Sequence, residues 1–377
     1  MVRALARVNL AAIERNASRI RRELDPNVVL CAVVKADGYG HGALPAARAA
    51  LAGGARWLAV ATATEAAQLR AGGIEPRILI MGAISREELP VALGAGADVV
   101  AWDERFVRGV VAAAGAGAGG RAVRVHVKLD TGMGRLGTRS SAEAIAVAEA
   151  VSAAPALELA GAMTHFATAD DPDDGFLKLQ ISRFEPLVAE LRRRHPGIVV
   201  HAANSAATLT QPSSRYDLVR CGIAVYGLDP MQVSAEEREL EPALELSSYV
   251  AAVKAAARGD SVGYGRRFVA ERDTELATLP IGYADGIRRA FTNNLDVLIG
   301  GRRHALVGTV SMDNITVEIA APGSVEPGAR AIIIGADGRE RQSAENLAAR
   351  IGTINYEIVC GISARVPRSY HRDGVPA

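Results

Sequence analysis

The segment WLAVATATEAAQLR (residues 57–70) carries in miniature the pattern that organises most of this chain. Trp57 to Ala61 is an apolar run of strand length. Thr62 and Glu65 stand three apart, the spacing at which each side chain satisfies the other's backbone N–H at a helix start, and an Ala-rich helical stretch follows. The same strand, short loop and helix recur. Candidate strands lie at Val28 to Val34, Trp57 to Ala61, Ile78 to Met81, Asp98 to Trp102, Val123 to Leu129, Leu157 to Thr164, Ile198 to Ala202 and Leu218 to Val225. Ser85 with Glu88 and Ser140 with Glu143 repeat the capping pair. Eight such units within about 230 residues predict an α/β fold, an N-terminal (β/α)8 TIM barrel. A doubly wound open sheet is the alternative, but eight units of this size close more naturally than they splay.

After Tyr226 the pattern changes. Residues 228–242 hold Pro230, Pro242 and a charged cluster, and read as a linker. Strand-like runs at Ser247 to Val253, Glu275 to Leu279, Val297 to Ile299 and Ile315 to Ile319 follow, with one expected helix at Ser343 to Arg350. The expected division is a barrel over 1–235 and a mostly β domain over 236–377.

A length of 377 residues fits two to three domains, and a net charge of +1 without charge blocks points to neither nucleic acid nor membrane as partner. Cys31, Cys221 and Cys360 are odd in number and form no CxxC pair, which favours free thiols in a reducing compartment. Arg3, Arg7 and Glu14 interrupt any N-terminal apolar core, and no apolar run is long enough to span a bilayer. A cytoplasmic protein is the simplest expectation. The small-residue tract Val110 to Gly120 reads as a fading helix followed by a loop. The seven histidines show no ligand spacing and Asp170, Asp171, Asp173 and Asp174 read as a solvated loop, so no metal is expected.

Lysine is scarce: Lys35, Lys128, Lys178 and Lys254 stand against 39 arginines. A retained lysine can do what a guanidinium cannot, such as act as a nucleophilic amine. Two of the four fall at predicted strand ends, where barrels carry their catalytic groups. Lys35 ends the first strand, Lys128 and Asp130 the fifth, and His165 the sixth; Asn204 and Ser205 follow the seventh, and Arg220, Cys221, Gly222 and Ile223 lie on the eighth. On the fifth strand Val123, Val125, Val127 and Leu129 share one face and Arg124, His126, Lys128 and Asp130 the other. If the valines face the helices, the polar row points into the barrel; an edge strand with a solvated face is the competing reading. Arg135 follows in the glycine-rich loop DTGMGRLG. A lysine, an arginine and a phosphate pocket from Ser205, Gly222 and Ile223 suggest pyridoxal phosphate, or a Schiff-base aldolase acting on a sugar phosphate.

The segments AVVKADGYGHG (from Ala32), VKLDTGMGRLG (from Val127), MTHFATAD (from Met163), HAANSAA (from His201), VRCGIAVYG (from Val219), VGYGRRF (from Val262), IGYADG (from Ile281), GTVSMD (from Gly308) and INYEIVCGISARVPR (from Ile354) resemble the alanine racemase family, in its order and across nearly the whole chain. The resemblance implies a pyridoxal-phosphate barrel plus a C-terminal β domain in a head-to-tail homodimer with shared sites. Lys35 would carry the cofactor as a Schiff base and exchange the α proton of an amino acid on one face. Tyr264 of the partner subunit would serve the other face, with His165 and Arg220 as the cationic relay beside it. Arg220 would meet the pyridine nitrogen; a guanidinium keeps its proton, which makes the cofactor a weaker electron sink and disfavours transamination.

The resemblance further places Tyr39, Ser205, Gly222, Ile223 and Tyr356 on the phosphate, with Asn204 beside them. It places Arg135 and the Met312 amide on the substrate carboxylate, with Tyr283 and Met312 limiting the pocket. Asp313 supports the site from the β domain, and Lys128 resembles a position that is carbamylated in many members. Cys221 departs from the proline usual there. The implied activity is interconversion of L- and D-alanine, supplying D-alanine for peptidoglycan. A broad-specificity or serine racemase on the same frame is the alternative, and a non-catalytic pyridoxal-phosphate carrier would leave Tyr264, Asp313 and Tyr356 without a purpose.

Overall fold

The computed structural model of the protein describes residues 2–117, 121–171, 173–319 and 321–377. The chain forms two compact units. One comprises Ile13–Gly38 and Ala43–Val225; the other takes the residues up to Ala12, Tyr39–Gly42 and everything from Tyr226. Strand β1 (Ala4–Asn9) belongs to the second unit. The first holds β2 (Val29–Val33), β3 (Trp57–Val60), β4 (Arg77–Ile80), β5 (Val99–Ala101), β6 (Val123–Lys128), β7 (Leu157–Met163), β8 (Val199–His201) and β9 (Leu218–Cys221). These pair in parallel in the order β4-β3-β2-β9-β8-β7-β6-β5. Asp98 closes the remaining seam: its N–H donates to Ile78 O at 2.8 Å and its carbonyl accepts from Ile80 N at 2.9 Å. The result is a (β/α)8 barrel on the eight segments expected. Strands β3 and β5 are buried at every position, as a parallel strand covered on both faces must be.

The helix starts depart in detail from the capping pattern. Thr62 and Glu65 form a full reciprocal box on the helix Ala63–Ala71. Ser85 and Glu88 also exchange bonds, at 2.8 and 3.3 Å, but they close a turn ahead of the helix Leu89–Gly94, because Pro90 has no N–H and suits only a first turn. Ser140 caps the helix Ser141–Ser152, yet Glu143 turns its carboxylate to the Thr138 hydroxyl instead. The edge-strand reading of β6 is excluded by its position between β5 and β7. The helical part of the Val110 to Gly120 tract continues to Gly117, and residues 118–120 lie outside the described residues.

The second unit contains β1 and β10 (Leu244–Tyr249), β11 (Ala252–Ala256), β12 (Ser261–Val262), β13 (Phe268–Val269), β14 (Thr274–Leu279), β15 (Asp296–Ile299), β16 (Arg302–Ala305), β17 (Ile315–Ile319), β18 (Arg330–Asp337), β19 (Glu340–Gln342), β20 (Arg368–Arg372) and β21 (Val375–Pro376). One sheet runs β16-β15-β18-β10-β1-β20-β21 and a second β11-β14-β17. β1 pairs antiparallel with β10 and parallel with β20, which draws the start of the chain into the β unit. Two expectations need correction. Residues 228–242 are no loose linker: the Asp229 carboxylate is fully buried and accepts from the backbone N–H of Met231, Val233 and Ser234. Ser247 to Val253 is two strands, since Val250 N bonds to Ala329 O and Ala251 N to Thr278 O, so the chain switches sheets between them. A helix Asn355–Cys360 follows the expected one at Ala344–Ile351.

Candidate active site

Lys35 follows β2 and opens a turn of the wrong hand. Ala36, Asp37, Gly38 and Tyr39 all take positive φ, from 51 to 62°. For the three non-glycine residues this costs on the order of 1–2 kcal/mol each, so the turn must be held by its surroundings. Glu65 holds it: one carboxylate oxygen accepts from Ala36 N at 2.6 Å, while the other accepts from Ala61 N and Thr62 N. Asp37 accepts from Ala43 N at 2.8 Å and Gly38 N donates to Val34 O. Glu65 is thus a clamp on the lysine loop as well as a cap. Its spacing from Thr62 announced only the cap.

Lys128 ends β6, buried. Burial lowers its ammonium to about 8, with Arg220, Arg135 and Lys35 pushing the same way and Asp130 opposing. Asp130 does not pair with it; its carboxylate accepts from the backbone of Gly132 and Gly134 and pairs with Arg139 at 3.4 Å. The loop carries Arg135 at the surface.

Arg220, on β9, is buried in the barrel. Its Nη1 donates to His201 Nδ1 at 2.8 Å, and its Nη2 faces Thr164 O, Ala202 O and His165 Nδ1 at 2.8–3.2 Å. Its Nε–H is buried without an acceptor. Burial lowers the guanidinium to about 10, so it remains a cation at neutral pH. His165 is different: burial first, then Arg220, Arg135, Lys128 and Lys35 hold it well below the usual imidazole range. The cation of the expected relay is therefore Arg220 alone.

Ser205 and the eighth-strand loop meet directly. The Ser205 hydroxyl accepts from Gly222 N at 3.0 Å and more loosely from Ala224 N, next to the buried Ile223. Asn204 caps the following helical turn, accepting from Ala207 N.

In the β unit, Tyr39 and Tyr356 lie with ring centroids 6.0 Å apart. Tyr264 is 73% exposed, between Gly263 and Gly265 at positive φ, and its carbonyl accepts from the Thr309 hydroxyl. Tyr264 and Tyr283, with Arg288, Arg289 and Val310, line an open cavity of about 550 Å³. The loops bearing Tyr283 and Met312 run side by side, with Tyr283 N donating to Ser311 O and Ala284 N to Met312 O; a Cβ on Gly282 would stand 2.4 Å from Met312 O. Both side chains are exposed. Asp313 pairs with Arg365 at 2.7 Å. Asp285, which sequence reasoning passed over, holds the Tyr283 loop through Gly282 N and binds Arg3.

These residues fit pyridoxal phosphate. The buried Nε–H of Arg220 lacks the acceptor that a pyridine nitrogen supplies, the Ser205 hydroxyl, accepting from Gly222 N, keeps its own proton to donate to a phosphate, and Lys35 and Lys128 both act on His165 in the same cationic mouth.

Fold and site together define a barrel enzyme of the amino-acid racemase class. Residues 8–230 match the family model for the N-terminal domain of alanine racemase and residues 243–370 that for its C-terminal domain. The chain belongs to the alanine racemase family. It is 43% identical over 372 residues to an alanine racemase of Thermobifida fusca, covering 97% of this chain and 98% of that one. It is 42% identical to that of Symbiobacterium thermophilum, covering 97% and 96%. The crystal structure of alanine racemase from Streptomyces lavendulae superposes with a TM-score of 0.93 at 38% identity, covering 98% of this chain and 97% of that chain. The Bacillus anthracis enzyme with bound L-Ala-P gives 0.91 at 36% identity, covering 100% and 97%.

Proposed function

We propose that this protein interconverts L- and D-alanine with pyridoxal phosphate in its barrel mouth, as a cytoplasmic homodimer whose product supplies peptidoglycan synthesis. The observation that carries the reading is the buried, unpartnered Nε–H of Arg220 in a mouth that also holds Lys35. Bound pyridoxal phosphate draws electrons from the α carbon of a joined amino acid and so acidifies its α proton. The residues do the rest. Lys35 holds the cofactor through its amine and takes or returns the α proton on one face; the Tyr264 phenol, delivered from the partner subunit, does so on the other. Arg220 donates to the ring nitrogen without giving up its proton, which keeps the electron sink weak. Ser205, Gly222, Ile223, Tyr39 and Tyr356 hold the phosphate, with Asn204 fixing the Ser205 turn. Arg135 and the partner's Met312 amide orient the substrate carboxylate.

Lys128 serves as a carbamate that orients Arg135; a lysine losing its proton at about 8 keeps a neutral fraction able to add CO2. Tyr283 and Met312 narrow the entrance and favour alanine over larger amino acids, while Asp313 holds the Met312 loop through Arg365. Purified protein should show a visible absorption band that borohydride fixes to Lys35, and should racemise L-alanine. Lys35→Ala should remove both, and undiminished racemisation by that variant would overturn the reading.

A further inference from the structure

Beneath Arg220 a line of hydrogen bonds crosses the barrel interior to its opposite end. Arg220 Nη1 donates to His201 Nδ1 at 2.8 Å; His201 Nε2 lies 2.8 Å from His126 Nδ1; His126 Nε2 lies 3.2 Å from the Asp98 carboxylate. All four side chains are buried. The direction of the line is fixed from its ends. A guanidinium only donates, so His201 Nδ1 must accept and its proton must sit on Nε2. That proton is given to His126 Nδ1, which leaves the His126 proton on Nε2, facing an acceptor carboxylate. Each imidazole is neutral, and every bond runs from Arg220 towards Asp98.

The barrel is built around this line. The β6–β7 register shifts between Val125 and His126, so that Gly161 stands opposite His126. A Cβ on Gly161 would lie 2.1 Å from His126 Nδ1. Such bulges re-aim side chains near active sites. Trp57 meets the His126 ring edge-on at 5.9 Å and is itself covered by Arg77 at 4.0 Å. At the far end Arg77 and Arg124 bind Asp98 at 2.8 and 2.6 Å, and the Asp98 backbone closes the barrel seam between β4 and β5.

We propose that Asp98 is a remote positioning residue for the racemase reaction: through neutral, Nε2-protonated His126 and His201 it fixes the rotamer of Arg220 and so aims the Arg220 Nε–H into the mouth. This rests on the reading above that Arg220 serves the cofactor ring. The four residues form one unit. Removing the carboxylate frees the His126 proton to change nitrogen, after which His201 can rotate and Arg220 loses one of its fixed acceptors.

The test compares Asp98→Asn with His126→Asn in the holoenzyme. An asparagine at 126 is too short to join Asp98 to His201 but leaves Asp98 with both arginines. Both variants should lower kcat by roughly 10-fold with KM within about twofold, since Arg220 is not expected to touch substrate. Both should shift the visible cofactor band, which a loss of packing alone would not move. A shift in Asp98→Asn but not in His126→Asn would overturn the relay and leave only the ion pairs.

Should either variant fail to fold, nitrogen-15 spectra of the unsubstituted protein decide. His126 and His201 should both be neutral and protonated on Nε2, and any other state of either ring overturns the proposal. The tautomers can be read without cofactor. Correct tautomers in a protein that forms no cofactor band would therefore count against the racemase reading alone.

Discussion

Lys128 shows at a single residue what burial does to a charge. Its ammonium loses its proton near 8 in the folded chain, against an ordinary value of 10.5. Below pH 8 both folded and unfolded chains carry the charge and the folded one bears its desolvation; above 10.5 neither does. Between the two the unfolded chain binds more protons, so stability from this residue rises with pH through that window, by about 3 kcal/mol. Lys128→Met has no charge to bury. In urea unfolding of apoprotein its stability relative to the parent should be highest near pH 7 and fall by about 3 kcal/mol by pH 10.5. A difference that stays flat with pH would mean that the parent side chain has no ammonium left to titrate in this window, as conversion to the anionic carbamate would bring about. The lysine count pointed to this residue and to Lys35 because the other two, Lys178 and Lys254, are exposed and interchangeable with the many arginines. What the count could not convey is the company Lys128 keeps: Asp130, two residues on, looks like its partner in sequence but is occupied by the glycine amides of its own loop.

At the scale of elements, the Lys35 loop depends on a residue from the next repeat. Glu65 accepts three backbone N–H groups at once, two at its own helix start and one in the left-handed turn. Glu65→Ala should cost about 2–4 kcal/mol in urea unfolding, the sum of a lost cap and a lost charged hydrogen bond. Glu65→Gln should recover part of that, because an amide oxygen still accepts from Ala36 N. Equal losses for both variants would show that the loop does not rely on this acceptor. The barrel strands were legible because most are short apolar runs set between helical stretches, while β6 showed itself by alternation. Strand β1 was not, since ALARVN alternates only weakly and is made a strand by β10 and β20, more than two hundred residues away. The interior line was half legible: alternation put His126 on an inward row, but Asp98 reaches it from before β5, and only closure of the barrel brings the two together.

For the whole molecule the decisive matter is how many chains make one site. Tyr264, Tyr283 and Met312 are exposed on the β unit at 73, 43 and 51%, an expanse of large side chains that a lone chain leaves wet. The proposed head-to-tail dimer would give each barrel mouth the Tyr264 of its partner, and complementation tests this. Lys35→Ala and Tyr264→Phe subunits are each expected to be inactive as homodimers. Unfolded together in equal amounts and refolded with cofactor, half of the dimers should be mixed, and each mixed dimer holds one mouth with an intact Lys35 and an intact Tyr264 from opposite chains. The mixture should recover roughly a quarter of the parent activity, since a two-fold dimer shares its two sites reciprocally. If Lys35 and Tyr264 act within one chain, no pairing of these subunits unites them and the mixture stays inactive. Recovered activity should also depend on protein concentration, falling on dilution as the mixed dimers separate.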